Sequence, residues 1–339
     1  MTNIPTNGPF FVGIDVGGTG IKVGVVNNDG ESLAYARVPT ETEKGFETGL
    51  QNLFRAVEQA VDESPLPMDE ISAIGLATPG TLDIPAGMLL RPHNLPGWRD
   101  VPIRQIVADK FQKPTFLQND ANAAAYGEYW IGAARDVHSV VFWTLGTGIG
   151  AGIIIGDMII RGEHSHGSEC GHTVIEMTNP RPCDTGQSGT LEAYASAKYL
   201  VRRCEEALQD GRRSSLQQIV DAGELLTPVL IGREAEQGDE LADELIMDTA
   251  RYMGIGTVNV IHTIDPNMVL FGGAMTFGRN GTELGRRFLQ RIRDEVKARA
   301  FPVPAAKIII DYATLGEDAG YIGAAGYARL KFGQMTAPQ

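Results

Sequence analysis

The chain has 339 residues, of which 43% are hydrophobic, and its formal net charge is −13. That length is too great for one small core and favours two domains. A chain this acidic repels nucleic acid unless one face is basic, and no block of lysine and arginine stands out. No apolar run approaches the about 20 residues that a membrane-spanning helix needs. We therefore expect neither nucleic acid nor a membrane among its partners.

Two further features indicate the cellular compartment. The first nine residues are polar and lack the charged-then-apolar pattern of a signal peptide. The three cysteines, Cys170, Cys183 and Cys204, are an odd number and favour a reducing compartment over a disulfide framework. We therefore expect a cytoplasmic protein.

The N-terminal segment predicts a strand, a glycine turn and a second strand. Residues 10–15 are apolar and rich in strand formers, and they run into a turn at residues 17–20. Residues 21–27 carry β-branched side chains and predict a strand where a dinucleotide-binding fold would have a helix. No Gly-Lys-Ser/Thr sequence closes the turn, so it is not a Walker A loop either. Residues 32–39 predict a third strand.

The same pattern returns later in the chain. Residues 139–145 predict a strand, residues 146–150 a glycine turn and residues 151–155 another strand. Two copies of one unit predict a duplicated α/β domain. The remaining predicted elements are strands at 71–77, 114–118, 158–161 and 268–271, and helices at 46–61, 121–134, 191–209, 239–262, 282–298 and 320–330.

The domain boundary has to be inferred, because no low-complexity linker is present. We place it near Gln118, at the end of a predicted strand. The N-terminal lobe is then residues 1–118, and the C-terminal lobe is residues 119–316. The closing helix, at about residues 317–335, is expected to pack back on the N-terminal lobe.

The two glycine turns are candidate phosphate-binding sites. Glycines let backbone N–H groups approach a phosphate closely, and Asp15 at a strand end can hold Mg²⁺ through water. The alternative for the first turn is a tight hairpin stabilised by the aspartate. The second turn favours phosphate binding, since two hairpins facing each other could hold the phosphates from two sides.

Asp120 has two interpretations that the sequence leaves open. An aspartate at a helix start is usually an N-cap, which is worth about 1 kcal/mol. A carboxylate at the C-terminal end of a strand can also accept a proton from an alcohol. The helix dipole would keep Asp120 ionised, whereas burial would raise its pKa.

Two more polar groups have several interpretations. The segment from Glu163 to His172, together with Cys183, is either a metal site, a loop that binds nothing or a set of donors and acceptors for a polyol. Glu192 follows Thr190, so it is either an acidic residue in a first helical turn or a ligand-binding side chain.

Eight short motifs occur in one order along residues 11–329. They are DVGGT at 15–19, TPG at 78–80, NLPGW at 94–98, QNDANA at 118–123, GTGIG at 146–150, ECGH at 169–172, GTLEAYA at 189–195 and GG at 272–273. Each motif is weak alone, whereas the ordered set is highly specific. The chain resembles the ROK family (repressor, open reading frame, kinase) and, within it, the bacterial glucokinases.

The resemblance implies a fold and an activity. The fold would be α/β and two-lobed, actin-like and ribonuclease-H-like, with duplicated sheet domains and ATP in an interdomain cleft. The activity would be that of an ATP-dependent hexose kinase in glycolysis, with glucose as the first choice of substrate. Such an enzyme transfers the γ-phosphoryl group of ATP to the sugar 6-hydroxyl. ATP and Mg²⁺ would be the cofactors, a hexose the other substrate and a homodimer the assembly.

The resemblance also implies roles for single residues, with Asp120 as the general base. The sugar ligands would be Asn94, Asn119, Asp120, Glu169, His172 and Glu192. The ATP-binding residues would be Asp15, Gly17, Gly18, Thr19, Gly146, Thr147, Gly148 and Gly273.

The chain departs from the family's pattern at the zinc site. The family combines the histidine of its Gly-His pair with three cysteines spaced Cys-x-Cys-Gly-x-x-Gly-Cys. His172 and Cys183 match two of these ligands, but Thr185 and Thr190 stand where thiolates should be. A threonine hydroxyl is a poor zinc ligand, so we expect no structural zinc. A metal would then no longer fix the orientation of His172.

Three other functions are the alternatives. Epimeric hexoses differ by one hydroxyl, so an N-acetylmannosamine, N-acetylglucosamine, fructose or allose kinase is a related choice. A sugar-responsive repressor would carry a helix-turn-helix ahead of the first strand, where this chain has about ten residues. A non-catalytic sugar-binding regulator or actin-like assembly protein is disfavoured by Asp120 and the set of sugar ligands.

Overall fold

A computed structural model describes residues 7–92 and 94–337. Its strands are β1 (Phe10–Val16), β2 (Gly20–Val26), β3 (Ser32–Pro39), β4 (Ile71–Thr78), β5 (Thr81–Asp83), β6 (Met88–Arg91), β7 (Thr115–Asn119), β8 (Ser139–Leu145), β9 (Ile149–Ile155), β10 (Met158–Ile159), β11 (Met268–Gly273) and β12 (Ile309–Tyr312). Its helices are α1 (Phe46–Glu63), α2 (Ile103–Phe111), α3 (Asp120–Trp130), α4 (Glu192–Ala195), α5 (Ala197–Gln209), α6 (Leu216–Asp221), α7 (Pro228–Glu236), α8 (Glu240–Ile264), α9 (Glu283–Arg299), α10 (Pro302–Lys307) and α11 (Ala319–Thr336).

Within the described residues, ten strands form two sheets of the same construction. The first sheet has the order β3-β2-β1-β4-β7, and the second has the order β10-β9-β8-β11-β12. A glycine turn joins β1 to β2 in the first sheet and β8 to β9 in the second. On the other side of β1 lie β4 and β7, and on the other side of β8 lie β11 and β12, all in parallel pairing. The predicted duplication of a strand–turn–strand unit is therefore confirmed. A separate two-stranded sheet consists of β5 and β6.

A row of glycines across the first sheet explains how α11 packs on it. Gly24, Gly13 and Gly75 are register partners on three adjacent strands. A Cβ atom on Gly13 would lie 1.9 Å from the Tyr321 carbonyl oxygen, and one on Gly75 would lie 1.8 Å from that of Ala324. The helix backbone thus rests directly on the strands, which buries the apolar strand β1 on that face.

The chain divides into two compact units whose bounds differ from the predicted lobes. One unit contains residues 1–136, 152–168 and 314–339, and the other contains residues 137–151 and 169–313. The predicted boundary near Gln118 separates α3 from the first unit. In the structure α3 packs closely on α11, since a Cβ on Gly323 would lie 1.7 Å from the Ala123 carbonyl oxygen. Gly152 likewise abuts α3, where its Cβ would lie 2.5 Å from that of Ala125.

Most predicted elements lie within a few residues of their observed bounds, with one broken helix. The predicted helix at 191–209 is interrupted at Ser196, which has an extended backbone and separates α4 from α5. The sequence analysis also missed β5, β6, α2, α6, α7, α10 and β12, which are short. None of the helices in the described ranges is long and apolar enough to cross a membrane.

Candidate active site

Asn119 and Asp120 lie where β7 ends and α3 begins. Asn119 is the N-cap, because its side-chain oxygen accepts hydrogen bonds from the backbone N–H groups of Ala121 at 3.0 Å and Asn122 at 3.2 Å. Asp120 is the first helical residue, and its Oδ1 accepts a hydrogen bond from Ala121 N–H at 2.8 Å. Asn119, and not Asp120, is therefore the main cap of α3. The second carboxylate oxygen of Asp120 takes no part in capping.

Two carboxylates of the first unit interact through their charges. Asp15 lies near the end of β1, and burial, followed by the charge of Asp120, raises its pKa to about 7, while Lys22 opposes the rise. Burial also raises the pKa of Asp120, and hydrogen bonds from Ala121 N–H and from Asn119 oppose that rise. Lys22 is the cross-strand partner of Asp15. This pair of acids carries more negative charge than the single lysine offsets, which suits a proton or a cation.

The first glycine turn joins β1 to β2 and adjoins a predicted sugar ligand. Gly17 N–H donates to the Gly20 carbonyl at 2.9 Å, and the Thr40 hydroxyl donates to the Gly17 carbonyl at 2.6 Å. A Cβ on Gly18 would lie 2.8 Å from the Asn94 carbonyl oxygen. These hydrogen bonds fix the conformation of the turn, and Asn94 lies directly against it. Both Asn94 and Thr19 are exposed.

The second glycine turn joins β8 to β9 and holds Glu192. Gly146 N–H donates to the Gly148 carbonyl at 3.0 Å, while Ile149 N–H donates to Glu192 Oε2 at 2.9 Å. A Cβ on Gly148 would lie 2.5 Å from the same carboxylate oxygen. The absence of a side chain at Gly148 therefore allows Glu192 to approach the turn. The motifs predict that Gly148 binds ATP and that Glu192 binds sugar, whereas the structure brings the two residues into contact with each other.

Gly273 ends β11 beside the second turn. Its φ of 90° is in the left-handed region that favours glycine. A Cβ there would lie 2.4 Å from the carbonyl oxygen of Leu145. Leu145 is the last residue before the turn that begins at Gly146. A side chain at this position is therefore excluded both by backbone conformation and by space.

Three potential ligands meet in the second unit. A ligand atom of each of His172, Cys183 and Glu192 lies within 4.8 Å of the other two, and the Cys183 thiol donates to Glu192 Oε1 at 3.5 Å. His172 lies in a short 3-10 turn, and its buried Nδ1 has no hydrogen-bond partner among the described residues. Glu192 starts α4, so the first-turn interpretation of this residue also holds.

The other polar residues of the predicted segment lie outside this cluster. Glu169 is exposed and precedes the 3-10 turn that contains His172. Burial and the charge of Glu169 raise the pKa of the Cys170 thiol to about 11. His166 Nδ1 lies 2.5 Å from the His164 carbonyl oxygen. Across residues 7–92 and 94–337, only His172, Cys183 and Glu192 form such a group.

Comparison with known proteins decides the family. The sequence profile described as the ROK family matches residues 11–330. The chain belongs to the ROK family. A glucokinase of Halalkalibacterium halodurans is 30% identical over 93% of this chain and 93% of its own length. A xylose repressor of Caldicellulosiruptor bescii is 31% identical over 92% of this chain and 76% of the repressor.

Solved ROK structures agree with this assignment. The chain is similar to a ROK hexokinase from Thermus thermophilus, with 34% identity, a TM-score of 0.81 and coverage of 96% of this chain and 100% of the hexokinase. It is also similar to a ROK glucokinase from Streptomyces griseus in complex with glucose and AMPPNP, with 30% identity, a TM-score of 0.77 and coverage of 95% and 100%. The predicted α/β, actin-like two-lobed ATPase fold is confirmed.

The residues present do not fit the zinc site of the ROK family. The Thr185 hydroxyl donates to Cys183 Sγ at 3.1 Å, and Thr190 Oγ1 accepts from Ala193 N–H at 3.4 Å. Both positions thus carry hydrogen-bonding groups in place of thiolates. Glu192 adds a third donor that the sequence analysis did not count. Its two oxygens already accept hydrogen bonds from Ile149 N–H and from the Cys183 thiol. This group of donors therefore supplies three of the four ligands that a closed structural zinc site uses.

Protein groups hold the segment around Cys183 in its place. Arg181 makes a bidentate ion pair with Glu206 at 2.7 and 2.8 Å. Asp184 pairs with Lys198, and the Tyr199 hydroxyl accepts from Asp184 N–H at 3.0 Å. These contacts tie both sides of Cys183 to α5, the helix that carries the three partner residues.

Each unit thus brings together part of the predicted residues. The first contains Asp15, Gly17, Gly18, Thr19, Asn94, Asn119 and Asp120, and the second contains Gly146, Thr147, Gly148, Glu169, His172, Glu192 and Gly273. Sequence reasoning missed two neighbours of Asp15. The hairpin register could have identified Lys22. Gly320, whose Cβ would lie 2.3 Å from Asp15 Oδ2, gave no local signal.

Proposed function

We propose that this chain is an ATP-dependent hexose kinase whose preferred acceptor is glucose, with Asp120 as the general base. The observation that carries the proposal is the carboxylate at the start of α3, whose neighbour Asn119 supplies the main cap. Burial raises the pKa of Asp120 towards the range in which a carboxylate accepts a proton effectively. The glucokinase relatives at 30% identity support the same reaction.

In the proposed reaction, Asp120 accepts the proton of the sugar 6-hydroxyl as its oxygen forms a bond to the γ-phosphorus. The bond from that phosphorus to the β-phosphate oxygen breaks, and ADP leaves with the electron pair. Asn94, Asn119, Glu169, His172 and Glu192 are the proposed sugar ligands. Asn119 uses its side-chain oxygen as the cap and donates one amide hydrogen to Asp120, which leaves the other amide hydrogen for a sugar hydroxyl.

The ATP ligands are proposed within each unit separately. In the first unit they are Asp15, Gly17, Gly18 and Thr19, and in the second they are Gly146, Thr147, Gly148 and Gly273. Backbone N–H groups of such turns accommodate phosphate oxygens. The excess negative charge of Asp15 and Asp120 fits Mg²⁺, which Asp15 would hold through water. When bound with ATP, Mg²⁺ offsets phosphate charge.

Five further properties of the protein are also proposed. We propose that the protein acts in the cytoplasm, in glycolysis, and as a homodimer. We also propose that it contains no structural zinc, because Thr185 and Thr190 replace two thiolates and hydrogen bonds occupy Cys183 and Glu192. The two lobes are proposed to correspond to the two compact units.

The test is sugar-dependent ADP release from ATP and Mg²⁺ across a panel of acceptors. The panel contains glucose, fructose, allose, N-acetylglucosamine and N-acetylmannosamine. We expect the highest kcat/KM with glucose. A higher kcat/KM with another sugar would reassign the substrate within the kinases. The second candidate function is a sugar-binding regulator, because the chain is similar to a xylose repressor. Sugar binding without any sugar-dependent ADP release would favour it.

A further inference from the structure

A cavity in the first unit has none of the residues proposed to bind sugar or ATP in its lining. Its volume is about 770 Å³. It is lined by Gln118, Ile155, Asp157, Met158, Ile159, Ile160, Arg161, Gly162, Tyr327, Leu330, Lys331 and Gln334. These residues come from the end of β7, the β9–β10 hairpin with the segment after it, and the C-terminal half of α11. The cavity is large enough for a small metabolite.

Two cations of this cavity lack an acidic partner. The Arg161 guanidinium makes no ion pair or side-chain hydrogen bond with any residue in the described ranges. Lys331 Nζ donates to Gln334 Oε1 at 2.9 Å, and this neutral amide leaves the lysine charge unpaired. Burial, followed by the charge of Arg161, lowers the pKa of Lys331, so the two cations are near one another. The lining also contains one carboxylate, Asp157, but it makes no ion pair with either cation in the described ranges, so a bound anion would reduce their mutual repulsion.

A buried donor in the same lining is also unsatisfied. Gln118 is 1% exposed, and its Oε1 accepts a hydrogen bond from Asn119 N–H at 2.9 Å. Its Nε2 has no partner among the described residues. Leaving a buried donor unpaired costs about 1–3 kcal/mol, which a ligand oxygen would offset. Asp157 adds one acceptor to the lining.

We propose that this cavity binds a small molecule through a phosphate group held by Arg161 and Lys331. A guanidinium fork and an ammonium group suit phosphate oxygens, and a phosphomonoester carries nearly two negative charges against these two cations. Polar groups on the remainder of the ligand would meet Gln118 and Asp157. Free phosphate and a phosphomonoester share this chemistry, so the experiment has to separate them.

The test is calorimetric titration of the intact protein with inorganic phosphate and with glucose 6-phosphate. Saturating glucose and AMPPNP are present throughout to occupy the proposed active site. We expect saturable binding of glucose 6-phosphate or of phosphate and a loss of affinity of tenfold or more in Arg161→Gln and Lys331→Gln. Tighter binding of glucose 6-phosphate identifies a phosphomonoester site, and equal binding identifies a site for free phosphate.

The control variant is Arg213→Gln, which removes an exposed arginine of the second unit. Affinity should stay unchanged in that variant. The absence of saturable binding, or equal affinity in wild type and Arg161→Gln, would overturn the proposal. Because Arg161 is exposed, we expect Arg161→Gln to fold. This variant therefore decides the test even if Lys331→Gln does not fold. The titration measures no turnover, so failure of the kinase proposal would leave this result standing.

Discussion

Asp120 lies close enough to Asp15 for its charge to raise the pKa of the Asp15 carboxyl, which burial and this charge together bring to about 7. The charge of the acid proposed as the base therefore opposes ionisation of the acid proposed to hold Mg²⁺. Lys22 alone lowers the pKa of Asp15 by its charge. This arrangement leads to a prediction about the stability of the protein without nucleotide.

The contribution of Asp15 to stability should fall as pH rises from about 4 to about 7. The pKa of Asp15 changes from 3.8 to about 7 on folding, so in this window the folded protein holds a proton that the unfolded chain has lost. The contribution is full below pH 4 and lost above pH 7, and it amounts to about 4 kcal/mol at most, since one pKa unit is worth about 1.4 kcal/mol. In Asp15→Asn, Tm should match the wild type at pH 4 and exceed it at pH 8.

Thermal unfolding without ATP and Mg²⁺ measures this difference. Asp136→Asn is the matched control, because the Asp136 side chain is 87% exposed and pairs with its neighbour Arg135. Its Tm should follow the wild type at every pH. An Asp15→Asn variant that is less stable than the wild type at pH 8 would contradict the electrostatic account.

Gly148→Ala should weaken sugar binding. The new Cβ would lie 2.5 Å from Glu192 Oε2, so the carboxylate has to move and lose its hydrogen bond from Ile149 N–H. The displaced carboxylate would lose its proposed hydrogen bond to a sugar hydroxyl, and since such a bond to a charged group is worth about 1.5–3 kcal/mol, KM for the sugar should rise about 10-fold or more. Steady-state kinetics at saturating ATP measure this change.

Gly146→Ala is the control for the same turn. A Cβ at Gly146 has no atom within 4 Å, so Glu192 should stay in place and KM for the sugar should stay near the wild-type value. A similar rise in both variants would show that the turn, and not its contact with Glu192, determines sugar affinity.

Thr19→Val should raise KM for ATP and leave KM for the sugar unchanged. The Thr19 hydroxyl is exposed at the first turn, while the backbone of Thr19 is held by Thr40 N–H at 3.3 Å, so the change removes one donor and preserves the turn. One hydrogen bond is worth about 0.5–1.5 kcal/mol, which predicts a rise of about 2- to 10-fold. An unchanged KM for ATP would exclude the hydroxyl from phosphate binding.

The purified wild type should contain no stoichiometric zinc, whereas Thr185→Cys with Thr190→Cys should bind one zinc per chain. The double variant restores two thiolates beside His172 and Cys183 and so completes the Cys₃His set. Elemental analysis after growth with added zinc measures both proteins. About one zinc per chain in the wild type, lost on chelation together with activity, would instead indicate a His172–Cys183–Glu192 site.

More of the fold than of the candidate site could be predicted from the sequence. Two glycine turns flanked by strands predicted the duplicated sheets, since periodicity and turn chemistry are local. The domain bounds were less accessible, because they depend on close packing between distant segments. Gly323 against Ala123 and Gly152 against Ala125 bring α3 into the first unit, and nothing near Gln118 indicates these contacts.

The same distinction applies within the candidate site. Asn119 and Asp120 were both identified at the start of α3, but only the hydrogen-bond geometry assigns the main cap to Asn119. The contact of Glu192 with Gly148 joins residues more than 40 positions apart and has no local signature. Short peripheral elements such as β12 were missed because four residues give too little periodicity.

The most direct test of the central claim is single-turnover and steady-state phosphorylation of glucose by Asp120→Asn, with glucose affinity measured in parallel. Asparagine keeps the shape of the side chain and an oxygen for Ala121 N–H, but it cannot accept the hydroxyl proton. The account predicts a fall in kcat of about 10²–10⁴ with a change in glucose Kd of less than about tenfold. A variant that keeps near-normal kcat would contradict the assignment of Asp120 as the general base.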